Sequence, residues 1–253
     1  METIEDIGQL PELDNDTIHI WGVHVPGVLD RLEALQAGLC VAEREKAARF
    51  LRESDRQSSI ASRGALRVLL SVYTGVPSNE IAFGYSDNGK PYLEYGAGFP
   101  ACAGQAGKPA PHSKCPPSEV AFNVSHSGEW VVLAFGRNRQ IGVDVEKIRR
   151  EMDVMAIASR YFTPEECAGI EGAEDIHAAF FHYWSRKEAY IKACGSALFR
   201  ELSTFAVPCE DGEKGGWHFR RLDAGSNYAS AVVSDRPLGN LPCYDFSLLE
   251  WRM

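Results

Sequence analysis

The stretch "IGVDVEKI", residues 141–148, reads as a β-strand that carries two carboxylates among aliphatic side chains. Successive side chains of a strand point to opposite faces, so residues two apart share a face. One face is therefore apolar, and Asp144 and Glu146 lie side by side on the other. Two like charges at this spacing repel each other unless solvent or a cation offsets them. The pattern fits an edge strand whose polar face lies in water, or a strand that supplies two ligands to a cation.

A second group of charges lies on the helix predicted from "DIHAAFFHYWSRKEAYIKACG", residues 175–195, with Gly195 as its end. On a helical wheel, Lys187 falls within the apolar face and Glu188 lies beside it, with Lys192 one turn further on. An ion pair between Glu188 and Lys192 is the simplest explanation of two of these charges. It leaves Lys187 unexplained, because a charge on a core-facing surface is costly unless it is paired or bound. The helix therefore predicts a buried site that accommodates both a cation and an anion.

Together, the strand and the helix predict a site of three carboxylates, from Asp144, Glu146 and Glu188. Ligands that are all oxygen select a hard cation such as Mg²⁺, with Mn²⁺ as the alternative, and Mg²⁺ often shares its coordination shell with a phosphate. Lys187 and Lys192 would then face the phosphate oxygens. This combination is typical of a phosphoryl-transfer centre, where the protein positions groups and neutralises charge.

Composition and charge exclude several classes of protein. The chain has 253 residues and a net charge of −9, which argues against binding to nucleic acid or to an anionic membrane. No apolar run is long enough to cross a bilayer, and the N-terminus lacks the pattern of a signal peptide. The seven cysteines are scattered and suit reduced thiols. We therefore expect a cytoplasmic protein, and we expect the Pro- and Gly-rich loop at 96–118 to be free of metal.

The order of predicted elements indicates an α+β fold made of two similar halves. "SRGALRVLLSVYTG…EIAFGY" and "SRKEAYIKACG…LSTFAV" both run from helix through glycine to strand. A further helical segment precedes the first of these two stretches, and we expect an interruption of the helix near residues 54–59. The two halves are expected at 1–138 and 139–253, as pseudo-symmetric α/β subdomains. We expect a monomer, because one chain already supplies this pseudo-dimer.

The segments "FNVSHSGEWVVLAF", "IGVDVEKI" and "WSRKEAYIKACG", in this order, resemble the 4′-phosphopantetheinyl transferases. The resemblance is to the larger single-chain class that activates surfactin synthetase and related assembly lines. It implies transfer of the phosphopantetheine arm of coenzyme A to a serine of an apo acyl or peptidyl carrier protein, with release of 3′,5′-ADP. It also implies that the active site lies at the interface of the two pseudo-symmetric α/β subdomains. The carrier could belong to fatty-acid, polyketide or non-ribosomal peptide synthesis.

The resemblance also implies roles for individual residues. Asp144, Glu146 and Glu188 match the metal ligands, and Lys192 matches a lysine on the pyrophosphate that assists the leaving group. Lys187 completes the K-E-x-x-x-K signature, and Glu166 matches a candidate for activating the serine hydroxyl. Where some members of the family have a lysine, this chain has Glu43. The matching contacts to coenzyme A are Arg63, Lys90, Ser125 and His126, with Arg44 and Lys46 as the basic candidates left near Glu43.

Each of these assignments has a simpler alternative. Arg63 could be a solvated charge on a helix, His126 a polar turn residue, and Glu166 a first-turn carboxylate favoured by the helix dipole. The motif "GKP" around Lys90 recurs at 107–109, and we prefer the first copy because it lies between two strand patterns. A metal-dependent phosphohydrolase and a carrier-docking protein without turnover are the two alternative functions.

Overall fold

Two four-stranded sheets, each packed against one long helix, form the framework of the protein. This computed structural model describes residues 10–86, 89–94, 120–195 and 202–249. The predicted 96–118 loop, the centre of the "DNG" turn, and the residues that follow Gly195 lie outside the described residues. In the described part of the chain, no helix is long and apolar enough to cross a lipid bilayer. The cysteines that the structure describes are all free thiols.

The first sheet is completed by a strand from the far end of the chain. Its order is β10-β1-β5-β4, and its strands are β1 (Ile18–His24), β4 (Val120–Ser127), β5 (Trp130–Arg137) and β10 (Cys243–Asp245). The helices of this half are α1 (Leu32–Ala37), α2 (Val41–Ala48) and α3 (Glu53–Thr74), and a small hairpin pairs β2 (Ala82–Tyr85) with β3 (Pro91–Glu94). Helix α3 ends at Gly75, whose φ of 71° is the left-handed conformation that glycine adopts at little cost.

The second sheet is entirely antiparallel and has the order β6-β9-β8-β7. Its strands are β6 (Ile141–Lys147), β7 (Gly212–Lys214), β8 (Trp217–Leu222) and β9 (Tyr228–Ser234), and its helices are α4 (Val154–Tyr161), α5 (Pro164–Glu171) and α6 (Ile176–Cys194). Helix α6 presses closely on β6, since a Cβ on Gly142 would lie 2.0 Å from the carbonyl oxygen of Ala189. Helix α6 also ends at a left-handed glycine, Gly195, as α3 does.

The two sheets meet along β4 and β6, which are edge strands of their respective sheets. At this junction, side chains of β4 bind the backbone of β6, in place of backbone-to-backbone hydrogen bonds between the two strands. The amide oxygen of Asn123 accepts a hydrogen bond from the Val143 N–H at 2.9 Å, and Ser127 Oγ accepts one from the Lys147 N–H at 3.0 Å. Ser125 and Ser127 also donate hydrogen bonds to the two carboxylates of β6, Asp144 and Glu146. The fold therefore brings the "SHSG" hairpin and the "IGVDVEKI" strand together.

The mixed α+β class and its two subdomains are confirmed, but three details of the prediction differ. Residues 243–249 belong to the predicted second half, yet β10 pairs in parallel with β1 and so joins the first sheet. The break between the helices of the first half falls at 49–52, before the predicted 54–59. The strand expected from "LSTFAV" is a 3₁₀ turn, Leu202–Thr204, because backbone carbonyls in this segment bind a buried ammonium group instead of a neighbouring strand.

Candidate active site

Asp144 lies at the centre of a buried charged cluster on β6. Its Oδ1 accepts hydrogen bonds from Ser125 Oγ at 2.7 Å and from Lys192 Nζ at 2.6 Å. Lys192 also donates to Ser125 Oγ at 2.9 Å, so the three polar groups contact one another. Asp144 Oδ2 is buried and has no hydrogen-bond partner among the described residues. Burial raises the pKa of Asp144, and Lys192 opposes this effect.

Glu146 and Glu188 add two more carboxylates to this cluster. Ser127 Oγ donates to Glu146 Oε2 at 3.1 Å, and burial followed by the charge of Asp144 raises the pKa of Glu146. Glu188 comes from α6 and is 8% exposed. Burial raises its pKa to about 7, and the charges of Asp144 and Glu146 act in the same direction. The three carboxylates therefore destabilise one another's ionised forms, which is the electrostatic setting that a bound cation would relieve.

The cluster has the right chemistry for a hard cation, but it is not a preformed cage. Among the described residues, no group of three or more His, Cys, Asp or Glu side chains is arranged to hold a metal ion. Lys192 already occupies Oδ1 of Asp144, while Oδ2 has no described partner. The predicted ligands Asp144, Glu146 and Glu188 thus share one electrostatic environment, and they would have to adjust their side chains to coordinate an ion together.

Lys187 and Glu166 lie apart from this cluster and form a buried ion pair of their own. Lys187 Nζ is 2.8 Å from Glu166 Oε2, and these side chains are 1% and 3% exposed. The ammonium also donates to the carbonyl oxygens of Leu202 at 2.7 Å and Phe205 at 2.6 Å. The sequence analysis correctly placed Lys187 at a buried position that requires an anion. The anion is the Glu166 carboxylate, however, and not a phosphate.

Glu166 is fully engaged in holding local structure. Its Oε2 accepts a hydrogen bond from the Thr163 N–H at 2.9 Å, which completes a capping box at the start of α5. Its Oε1 accepts one from the Val207 N–H at 2.9 Å. This arrangement matches the helix-start alternative and leaves neither oxygen available to take a proton from a substrate. The structure therefore does not support the predicted role of Glu166 in activating the serine hydroxyl.

Lys90 binds backbone rather than facing an open pocket. Its ammonium donates to the carbonyl oxygens of Ile141 at 3.2 Å and Ala193 at 3.4 Å, and also to that of Lys192. The last two carbonyls belong to the C-terminal turn of α6, where the helix dipole favours a positive charge. Burial lowers the pKa of Lys90 to about 8. All three of its donors are used, so the predicted contact with coenzyme A would require Lys90 to leave α6.

Arg63 faces a small basic and aromatic site in the first half. Its guanidinium lies over the Phe83 ring at 4.7 Å and donates to the Tyr85 hydroxyl at 3.2 Å. Glu43 is 3.3 Å from Arg63 Nε and also binds Arg67 Nε at 2.8 Å. Arg63 Nη1 is buried and lacks a hydrogen-bond partner among the described residues. The Arg63 side chain is therefore fixed in place by its contacts and has one N–H group available for a ligand. It is not a solvated charge on the surface of a helix.

His126 lies at the exposed tip of β4, next to the carboxylate cluster. The surrounding protein lowers the pKa of its ring, and the positive charge of Lys192 adds to this effect. The charges of Lys46 and Asp55 also act on His126, so residues of α2 and of the start of α3 contribute to the electrostatic field at the hairpin tip. Arg44 instead donates to the Leu39 carbonyl at 2.7 Å. Of the two basic candidates near Glu43, Lys46 is thus the one electrostatically connected to the site.

Comparison with known families gives a consistent result for both halves of the chain. Residues 140–242 match the family model described as the 4′-phosphopantetheinyl transferase superfamily. Residues 29–137 match the model of a 4′-phosphopantetheinyl transferase N-terminal domain. The 4′-phosphopantetheinyl transferase HetI of Nostoc sp. is 30% identical over 226 residues, which cover 87% of this chain and 88% of that protein. The chain belongs to the 4′-phosphopantetheinyl transferase superfamily.

Two further relatives of this transferase carry the same description. A 4′-phosphopantetheinyl transferase of Bacillus subtilis is 29% identical over 231 residues, covering 86% of this chain and 92% of the relative. The 4′-phosphopantetheinyl transferase Sfp of Bacillus subtilis is 27% identical over 194 residues, covering 74% and 75% of the two chains. The protein is accordingly an enzyme of the transferase class.

The sequence analysis of this transferase missed two residues at the junction of the sheets, Ser127 and Asn123. Ser127 orients Glu146, and Asn123 ties β4 to β6 through the Val143 amide. The signal was available, because Asn123, Ser125 and Ser127 occupy alternate positions of one predicted strand and therefore share a face. Arg67 was missed for a different reason. Nothing in its local sequence shows that it would be buried against Glu43.

Proposed function

We propose that this enzyme transfers the 4′-phosphopantetheine moiety of coenzyme A to a serine hydroxyl of an apo acyl or peptidyl carrier protein, in a Mg²⁺-dependent reaction that releases 3′,5′-ADP. The observation that supports this most directly is the contact of Lys192 with Asp144 and Ser125 beside Glu146 and Glu188. A lysine cation next to three carboxylates can stabilise phosphate charge on one side and hold a metal on the other.

The proposed reaction is a displacement at phosphorus. The serine oxygen forms a bond to the β-phosphorus of coenzyme A, and the bond from that phosphorus to the oxygen of the leaving 3′,5′-ADP breaks. The serine proton passes to a carboxylate of the cluster. Lys192 offsets the negative charge that develops on the departing phosphate.

Asp144, Glu146 and Glu188 are the residues proposed to hold Mg²⁺. The unpartnered Oδ2 of Asp144 and the raised pKa values of the other two carboxylates support this assignment. A bound Mg²⁺ would supply charge neutralisation for the pyrophosphate. Ser125 and Ser127 fix the orientation of the two carboxylates of β6, and this lowers the cost of bringing all three together.

Arg63, Lys46 and His126 are proposed to contact the phosphates of coenzyme A. Arg63 supplies a buried donor without a described partner, and the aromatic rings of Phe83 and Tyr85 hold its guanidinium in place. The charges of Lys46, Lys192 and Asp144 all act on the His126 ring, which supports assigning Lys46 and His126 to the edge of the carboxylate cluster. Lys90 is assigned to holding α6, because its three donors are already used.

Intact mass spectrometry of an apo carrier protein tests the proposal. The carrier is incubated with the enzyme, coenzyme A and Mg²⁺, and we expect its mass to rise by one phosphopantetheine arm. The product should be absent with EDTA and with the variants Glu188→Gln and Lys192→Met. Glu171→Gln is the matched control, since this exposed carboxylate at the end of α5 lies outside the cluster.

Three outcomes would contradict the proposal. Cleavage of coenzyme A without any change in the mass of fatty-acid, polyketide and peptide-synthetase carriers would indicate a hydrolase. Full activity of Glu188→Gln would show that the carboxylate cluster is not the reaction centre. Full activity in EDTA would remove the metal from the mechanism.

A further inference from the structure

A cavity of about 310 Å³ lies in the second half of the protein, against helix α6. Its polar lining comes from His182 and Arg186 of α6, Arg221 of β8, and Cys209, Glu210 and Asp211 from the segment before β7. Ala179 and Tyr183 supply part of the apolar lining. The cavity is far larger than a single water needs, and it is large enough for a small organic molecule.

The cavity is separate from the carboxylate cluster. Successive residues of an α-helix are rotated by about 100°, so positions 182 and 186 of α6 lie on one side and positions 188 and 192 lie about 120° around the helix from them. Glu188 and Lys192 use the side that faces β4 and β6, as the contact of Lys192 with Asp144 shows. His182 and Arg186 therefore serve no group of the proposed transferase centre.

Two buried nitrogen atoms of this lining have no hydrogen-bond partner within the described parts of the chain. They are Arg186 Nε and His182 Nδ1. Arg186 is only 4% exposed, and its Nη2 donates to Asp211 Oδ1 at 3.2 Å, so its guanidinium is held in place. Leaving a buried charged donor unsatisfied costs more than leaving a neutral one. An acceptor that enters the cavity would remove this cost.

The hydrogen-bond donors around the cavity, rather than its net charge, favour an anion at this position, since the carboxylates of Asp211 and Glu210 balance the charges of Arg186 and Arg221. The charges of Arg221 and Arg186 both act on His182 and disfavour its protonated form. Asp211 Oδ1 accepts hydrogen bonds from Arg186 Nη2 at 3.2 Å and from the Arg221 N–H at 2.7 Å. The exposed side chain of Arg221 also lines the cavity. A neutral His182 can donate from Nδ1 in one of its two tautomers.

We propose that this cavity binds the oxyanion group of a small organic molecule, a carboxylate or a phosphate, through Arg186 Nε, His182 Nδ1 and the guanidinium of Arg221. Arginine suits this role because its planar donors match the geometry of both oxyanions. Ala179 and Tyr183 contact the apolar part of the molecule. The site lies outside the proposed reaction centre, so its ligand is neither coenzyme A nor the carrier serine.

Side-chain NMR of the full-length enzyme tests this assignment directly. The Nε–H signal of Arg186, identified by its absence in Arg186→Lys, and the His182 ring signals are followed during titration with inorganic phosphate or with succinate. Sodium chloride keeps the ionic strength constant. We expect saturable shifts of both groups. In Arg221→Gln the affinity should fall about tenfold, the loss expected for one charge-assisted hydrogen bond.

Arg220→Gln is the matched control. Arg220 is the preceding residue on β8, so its side chain points to the other face, where it donates to the Gly239 carbonyl. Saturation with phosphate alone or with succinate alone would support the site and identify the class of its oxyanion. Shifts that grow without saturating would overturn the proposal. Equal affinities in Arg220→Gln and Arg221→Gln would overturn it as well.

Discussion

Replacing Glu188 with glutamine should stabilise the metal-free protein while abolishing its activity. Burial raises the pKa of Glu188 from an ordinary value of 4.5 to about 7. A raised carboxylate pKa means that the folded state holds its proton more tightly than the unfolded chain. Stability is therefore lost as pH rises from 4.5 through 7, and the full cost is present at pH 8. With about 1.36 kcal/mol for each tenfold change in proton affinity, that cost is about 3 kcal/mol.

Glutamine has almost the same shape and no charge, so Glu188→Gln should recover part of this cost. We expect a gain of about 1 to 3 kcal/mol at pH 8 in EDTA, or roughly 3 to 9 °C in Tm for a chain of this size. Differential scanning calorimetry gives the Tm directly. Below about pH 4, where both states carry the proton, the difference between Glu188→Gln and the wild type should disappear.

Glu166→Gln is a control of opposite sign. The chemical change is the same and the burial is similar, but Glu166 is paired with Lys187 at 2.8 Å. Removing its charge leaves a buried ammonium uncompensated, which should cost about 3 kcal/mol. If both variants lower the Tm at pH 8 in EDTA, the carboxylate cluster is not electrostatically strained and the reasoning is wrong. Adding Mg²⁺ should raise the Tm of the wild type and of Glu166→Gln, but not that of Glu188→Gln.

Three other predictions test separate parts of the molecule. Gly142→Ala should destabilise the protein by more than about 2 kcal/mol in urea unfolding, because its Cβ would lie 2.0 Å from the Ala189 carbonyl oxygen; an unchanged midpoint would show that β6 and α6 can separate. Arg63→Gln should raise the KM for coenzyme A about tenfold with little change in kcat, whereas Lys90→Gln should lower the Tm instead; equal KM effects would return Lys90 to the binding site. His19 is buried, and burial lowers its pKa to about 4, so stability should fall by up to about 3 kcal/mol as pH drops from 6.5 to 4. His19→Asn should lose that component of the urea-unfolding pH profile, and an identical profile would contradict it.

The alternation of side chains along a strand and the periodicity of a helix correctly predicted β6 and α6, the two elements that supply the three carboxylates. Alternation in "IGVDVEKI" correctly predicted β6 with Asp144 and Glu146 on its polar face, and the helical wheel correctly predicted that Lys187 is buried. The glycine after each long helix correctly marked its end, since both adopt left-handed φ. Local patterns were sufficient here because strand and helix periodicity act over a few residues.

Partners distant in sequence could not be predicted in the same way. Lys187 was assigned to phosphate oxygens, whereas its partner Glu166 lies 21 residues earlier and was assigned to a different role. Lys90 matched a motif for coenzyme A contact, yet its ammonium binds the end of a helix more than a hundred residues further on. The packing of helices and strands against one another decides which buried charges form pairs. The spacing of residues within a single helix or strand does not predict these pairs.

The parallel pairing of β1 with β10 has a consequence for how the protein is made. A ribosome delivers β1 early, but the strand that covers its free edge emerges only after the whole second half has been synthesised. The His24 N–H and Ser247 Oγ, which meet in this region, are 223 residues apart. Until then β1 presents an open edge to other nascent chains and to chaperones. Residues 243–249 therefore complete the first sheet late in synthesis, and the first half can reach its final form only after translation of that segment.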